Sequence, residues 1–287
     1  MQPTFVLVHG AFANSFSFAP LQAELGLLGH RSVAVDLPGH GFAATYVRAY
    51  QAPQDAEALA GAPGSIKGVT LADNTAHLLA VLERARRNGP VILVSHSRGG
   101  ITATAAANAR PDLIDRIVYV SSWCPVDLDV SDYYAEPEMA SVDAAALGLA
   151  VAADPARLGL LRVNFRTADP TALTAFKAAF LAERSDEEFL TLLNTFQPDE
   201  NLDGGTRADR ARAATWGRIP KSYVRLTDDT SMPLALQDRL IREGDALTPD
   251  NPYDVRTLES SHCGWLVAPA PAARVLAEIG ALTVGSG

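Results

Sequence analysis

Apolar residues fall into two spacings along this chain. Short unbroken runs have the length and β-branched content of strands: Thr4-Phe-Val-Leu-Val8, Arg31-Ser-Val-Ala-Val35, Val91-Ile-Leu-Val94, Ile117-Val-Tyr-Val120, Lys221-Ser-Tyr-Val-Arg-Leu226 and Tyr253-Asp-Val-Arg-Thr-Leu258. Elsewhere apolar residues recur every three or four positions. Phe18, Leu21, Leu25 and Leu28 mark a helix that Gly29 ends. Leu71, Leu78, Leu82 and Ala85 form one face of a helix over 70–87, stopped by Asn88-Gly-Pro90. An Ala-rich helix covers 101–109, and Val275, Leu276 and Ile279 face inward from a last helix over 271–282. Strand, helix, strand in succession predicts βαβ units, hence an α/β fold with a mostly parallel central sheet flanked by helices.

Two stretches break this rhythm. Residues 42–68 are rich in Ala, Gly, Pro and Gln and show no firm period, with a short helix around 55–60. A loop that long is usually functional or mobile. From 125 to 217 the strand signal disappears. Ala-rich helical runs at 139–153, 171–182 and 186–194 replace it, broken by Pro137, Pro155, Pro170 and Pro198. The expected organisation is a core in two parts, 1–124 and 218–287, with a helical cap at 125–217 over the carboxyl edge of the sheet.

Composition narrows the choices. The chain has 287 residues, 48% hydrophobic and 20% charged, which suffices for a large core. Net charge is −9 with no basic run, so nucleic acid and anionic membranes are poor partners. No 18-residue apolar run suggests a membrane helix, and Met1-Gln-Pro lacks the basic start of a signal peptide. Two cysteines make no disulfide framework. The expectation is a soluble cytoplasmic protein, with a homodimer left open. No G-x-G-x-x-G follows the first strand, so Asp36 is not read as a ribose ligand, and no His/Cys/Asp cluster has metal-ligand spacing. Neither a cofactor nor a metal is expected.

The chemistry centres on Val91-Ile-Leu-Val-Ser-His-Ser-Arg-Gly-Gly100. A strand ends abruptly, a helix follows at once, and Ser97 stands at the apex with small residues two before and two after. This is the logic of a nucleophile elbow, G-x-S-x-G, with Ser95 in place of the first glycine. A serine hydroxyl needs a base to take its proton. Of six histidines only His262, just after the last strand, follows both the elbow and a candidate acid. The acid should end the preceding strand and orient the imidazole; Asp228 and Asp229 both qualify. An oxyanion hole needs two fixed N–H donors. The Arg98 amide, opening the helix, and the Ala11 amide, in the loop after the first strand, are the choices.

Taken together these residues resemble the α/β-hydrolases, and more narrowly the plant methylesterase and hydroxynitrile lyase branch with its bacterial relatives. The resemblance rests on Phe5-Val-Leu-Val-His-Gly-Ala11, Val35-Asp-Leu-Pro-Gly-His-Gly41, Ser95-His-Ser-Arg-Gly-Gly100, Thr227-Asp-Asp-Thr-Ser-Met-Pro-Leu-Ala-Leu-Gln237 and Ser261-His-Cys-Gly264. In that branch the acid lies four residues before a proline and eight before a glutamine, so Pro233 and Gln237 select Asp229. Cyanohydrin cleavage in the resembling lyases uses a threonine and a lysine where this chain has Gly10 and Cys263, which argues against that reaction. Arg98 replaces an apolar residue of the plant enzymes.

The expected activity is hydrolysis of a carboxylic ester, a methyl or other small alkyl ester of a small apolar metabolite, through Ser97, His262 and Asp229. The alternatives are a lyase, cyclase or dehydratase using the same residues as acid and base without acylation, and a non-catalytic ligand receptor. Trp123, Cys124, Cys263 and Phe12 are expected to line the pocket. Phe16 and Phe18 are read either as further pocket wall or as a staple of the first helix. The Arg98 side chain is expected to turn away and pair with a surface acid, the alternative being a guanidinium directed at a substrate carboxylate or carbonyl.

Overall fold

The computed structural model describes residues 2–284. Eight strands occur among them: β1 (Thr4–Val8), β2 (Arg31–Val35), β3 (Val91–Ser97), β4 (Arg116–Ser122), β5 (Leu161–Arg162), β6 (Asp199–Glu200), β7 (Lys221–Leu226) and β8 (Asp254–Leu258). Six form one sheet in the order β2-β1-β3-β4-β7-β8, and every pairing in it is parallel. The order reverses at β1, which lies between β2 and β3. The carboxyl ends of β1 and β3 therefore flank a crevice of the kind where open α/β sheets bind ligands.

Alternate residues of each central strand serve two separate cores. Val6, Val8, Leu93, Ile117, Tyr119 and Tyr223 pack under the helices Leu71–Arg86, Gly99–Ala109 and Leu234–Leu247. Phe5, Leu7, Ile92, Val94, Val118 and Val224 pack under Ala19–Leu27 and Ala270–Val284. Both faces are covered, which is why these strands read as continuous apolar runs rather than alternating ones.

Two expectations need correction. The periodicity analysis has no helix between the last two strands, yet Leu234–Leu247 is there. Parallel neighbours such as β7 and β8 need a crossover, and Leu236, Leu240 and Ile241 supply its buried face. The expected helix over 139–153 is reduced to Ala144–Gly148, because the Asp143 carboxylate caps the Ala146 N–H and restarts the chain there. The Ala-rich run also offers this helix no buried side chain.

Between β4 and β7 the longest helices are Pro170–Phe180 and Asp186–Leu193, opened by Asp169 and by a Ser185–Glu188 capping box. They share an apolar cluster of Phe165, Phe176, Phe189, Leu192 and Phe196. The strand signal expected to vanish here persists only as β5 and β6, two residues each and antiparallel, too short to carry a period. The 42–68 stretch contains a helix, Ala56–Gly61, capped by Asp55. The buried Arg162 of β5 holds this stretch in place. Its guanidinium is bidentate to Asp199, at 2.6 and 2.7 Å, and donates to the Leu59 and Ala62 carbonyls. Among the described residues no helix is long and apolar enough to cross a membrane.

Candidate active site

Ser97 ends β3 with φ of +51°, a left-handed conformation unusual for a residue with a side chain. The turn is tight enough that neighbouring glycines have no room for a Cβ. A Cβ on Gly99 would lie 2.5 Å from the His9 carbonyl oxygen, and one on Gly100 2.1 Å from that of Trp123. Gly10 faces the serine directly: its Cβ would stand 2.8 Å from Ser97 Cβ. Strand β1 thus delivers its terminal loop against the apex of β3. Ser95 is buried, with the Ser122 hydroxyl 3.1 Å from its Oγ. Serine thus stands in the usual glycine position with a polar partner on β4.

The structure brings Asp229 and His262 together and leaves Asp228 out. His262 Nδ1 lies 2.6 Å from Asp229 Oδ2, and both residues are buried. Asp228 is exposed, its carboxylate accepting only from the Thr227 hydroxyl beside it. Asp229 Oδ1 accepts the N–H groups of Ser231 and Met232, each at 2.8 Å. Gln237 explains the glutamine of the motif. Its amide bonds Leu226 N–H, Leu226 O and Met232 O, imitating a strand neighbour and fixing the 227–233 loop. Beyond the strands, Thr227 N–H donates to Leu258 O and Asp228 N–H to Ser260 O, so the acid and histidine loops leave the sheet side by side.

The histidine loop is pinned to the elbow. His96 Nε2–H donates to the His262 carbonyl at 2.9 Å, and the two rings lie 4.5 Å apart. Burial, then the nearness of His262, holds the His96 imidazole well below its ordinary pKa. His9 is lowered to about 3, by burial first and then by His40. His9 Nε2 accepts the Leu37 N–H at 3.2 Å while Nδ1–H donates to Gly10 O at 2.8 Å. Both rings are therefore neutral at pH 7 and act as fixed hydrogen-bond partners. The Gly10 carbonyl belongs to the same peptide as the Ala11 N–H, so His9 orients that donor. Among the described residues neither the Ala11 nor the Arg98 N–H has an acceptor within the chain.

The residues expected around the pocket divide. Phe12, Tyr134, Met139, Phe165, Phe176 and Phe180 line an apolar cavity of about 400 Å³. It adjoins both loops: Phe12 follows Ala11, and the Phe180 carbonyl accepts the Cys263 N–H at 2.9 Å. Cys263 lies behind this wall in the 150–196 cluster, and burial pushes its thiol up. Trp123 stands one layer back, its ring 5.3 Å from that of Tyr134. Cys124 is a correction: it sits in the core with Tyr119, Tyr223, Tyr253 and Trp216. The chain turns inward after Trp123, whose N–H donates to Ser97 O. Phe18 is buried against Trp265 and Phe16 is exposed, so neither walls the cavity. The Arg98 side chain turns away, as expected, but its acid is the buried Glu200 at 3.8 Å rather than a surface one.

Sequence reasoning missed Ser121. A bulge at the end of β4 gives it φ of +36° and aims its hydroxyl at Asp229 Oδ2, 2.6 Å away. The visible signal was a serine pair closing an otherwise apolar strand. It also missed Glu200, for which the sequence carries no signal.

A parallel sheet with a serine elbow, and an acid–histidine pair leaving the next strands, define a class. The chain matches the sequence model of the alpha/beta hydrolase family over residues 5–278 and belongs to that family. It is 26% identical to Methylesterase 9 of Arabidopsis thaliana over 246 residues, 83% of this chain and 84% of that protein. It is 24% identical to a pyrethroid hydrolase of Sphingobium wenxiniae over 274 residues, 95% and 86% of the two chains. Polyneuridine aldehyde esterase has the same fold, with a TM-score of 0.69 at 20% identity over 97% of this chain and 99% of that one.

Proposed function

We propose that this carboxylic ester hydrolase works through an acyl-enzyme on Ser97. With Nδ1 held by Asp229, His262 presents Nε2 as the base that takes the Ser97 proton and later returns it to the leaving alcohol. The Ala11 and Arg98 N–H groups, without an acceptor among the described residues, receive the oxygen of the tetrahedral intermediate. Water activated by His262 then releases the acid. The observation that carries this reading is the 2.6 Å contact of His262 Nδ1 with Asp229 Oδ2 beside the left-handed serine turn.

Residues 125–217 act as the cap over this site. The aromatic cavity takes the apolar part of the substrate, and a methyl or other small alkyl alcohol leaves. The cavity walls named above carry no charged group, which disfavours an ionised substrate arm. The methylesterase and pyrethroid hydrolase relatives are consistent with an uncharged ester of this kind.

The test is a panel of p-nitrophenyl and methyl esters on the wild type and Ser97→Ala. The variant is expected to lose roughly ten-thousandfold or more in kcat. Full esterase activity in Ser97→Ala would overturn the mechanism.

A further inference from the structure

Glu200 is an acidic side chain buried beside two loops that need no acid for ester hydrolysis. Its contacts reach the Phe12 loop and the Arg98 turn, and also His40 after β2 and its own neighbour Asn201. Oε2 accepts the Phe12 N–H at 3.0 Å and lies 3.3 Å from His40 Nε2. Oε1 accepts the Asn201 N–H at 2.9 Å and lies 3.8 Å from Arg98 Nε. Burial alone would raise this carboxyl, but the hydrogen bond and charge of His40, with Arg98 and the Phe12 N–H, bring it down to about 2.

Phe12 and Arg98 each adjoin an oxyanion donor. Phe12 has φ of +58°, a conformation a phenylalanine keeps only when its surroundings impose it. Here the cap grips both of its backbone groups: its N–H by Glu200, its carbonyl by the Gln197 N–H at 2.9 Å. One residue back is the Ala11 N–H. On the other side, the guanidinium of Arg98 is fixed by Glu200, by Asn201 Oδ1 at 2.8 Å and by the Asp203 carbonyl. Its own main chain carries the second donor. A single carboxylate therefore reaches from the cap to both halves of the hole.

Resting on the serine mechanism proposed above, we infer that Glu200 is a positioning residue that sets the spacing of the Ala11 and Arg98 N–H donors. Arg98 is its counter-charge. A lone carboxylate beside a developing oxyanion would oppose catalysis, and the guanidinium offsets that field. This assigns the Arg98 side chain to the hole rather than to recognition of a substrate carboxylate.

The test separates transition-state from ground-state binding. An aryl-alkyl trifluoromethyl ketone forms a hemiketal with a catalytic serine and places its oxyanion in the hole. Its Ki is measured beside kcat and KM for p-nitrophenyl butyrate, on wild type, Glu200→Gln, Arg98→Met and Ser97→Ala. Displacing both donors without removing them is expected to cost Glu200→Gln about tenfold in kcat, below the hundredfold or more of a deleted donor. The ketone Ki should rise by the same factor while KM stays within about twofold. If Glu200→Gln does not fold, Arg98→Met decides, with a smaller change in the same direction. A loss confined to KM, or an unchanged ketone Ki in the folded variants, overturns the inference. A ketone that binds wild type and Ser97→Ala alike overturns the serine mechanism, and this inference with it.

Discussion

Along Val91–Val94 of β3 every side chain is buried and apolar, and alternate residues meet two layers of helices. Around β6 the buried side chains include the polar Gln197, Asp199, Glu200, Asn201 and, from β5, Arg162. The sheet is specified by packing, which tolerates variation so long as volume and period are kept. The junction with residues 125–217, the proposed cap, is specified by hydrogen bonds and ion pairs, which demand particular partners at particular distances. The proposed reacting groups come from the first region, on strand ends that the sheet holds rigid. Their inferred adjustment comes from the second. The cap also bonds the acid and histidine loops: Thr230 and Ser231 donate to the Ala178 and Ala179 carbonyls, and Ser261 to Phe180 O.

If the sheet edge supplies the chemistry, the largest loss should follow a change there that leaves the cap untouched. Asp229→Asn keeps the shape of the side chain but presents His262 with the wrong hydrogen-bond pattern. It is expected to lower kcat about ten-thousandfold, with thermal stability little altered. A variant within tenfold of wild type would break the assignment of Asp229.

The cap junction should fail in stability. Arg162→Ala leaves the Asp199 carboxylate buried without a partner and is expected to cost about 3–5 kcal/mol in urea unfolding. Replacing Arg162 and Asp199 together by leucine should recover much of that. Leu78→Ala, under the sheet, should cost about 2–5 kcal/mol, and no second change of this kind rescues a cavity. Equal behaviour of the two sites would erase the distinction between packing and pairing.

The two regions also differ in how far the sequence discloses them. Each main-sheet strand is anticipated by its apolar run, and Ser97, His262 and the Asp228–Asp229 pair are found by their places after strands. That works because a buried parallel strand and a sharp turn each impose a local pattern. Gln237 and Pro233 resolve the acid only through resemblance; the reason, a glutamine imitating a strand neighbour, lies in the fold. Ser121 depends on a bulge that no period announces. Glu200 and Arg162 act over separations of 188 and 103 residues, to Phe12 and Leu59, and a pairing between distant polar residues leaves no local trace. Cys124 was misplaced because strand alternation stops where the chain turns inward.

Between these extremes lies Ser121, on the sheet yet acting only through Asp229. Asp229 keeps its two amide bonds and His262 when this hydroxyl is removed. Ser121→Ala is therefore expected to lower kcat by about tenfold or less, leaving KM unchanged. A change in KM alone would place Ser121 in substrate binding instead.

The last comparison is a slope with pH, and it distinguishes the regions by the sign and window of their linkage. His9 and His96, at the sheet edge, have folded pKa values below the ordinary 6.5, about 3 for His9. As pH falls below 6.5 the unfolded chain takes up protons at these rings and the native protein does not. The unfolded state binds more protons, so stability declines with falling pH, by at most about 1.4 kcal/mol per unit for each histidine. Glu200 has a folded pKa of about 2 against 4.5, so its contribution is intact above 4.5 and lost only as pH drops toward 2. Urea midpoints at pH 7.5, 6.0 and 5.0 should fall steadily, with the decline set by histidines of the sheet edge rather than by the cap carboxylate. A flat profile across that window would mean that one or both rings are charged in the native protein, and the neutral hydrogen-bonding role given to them would fail.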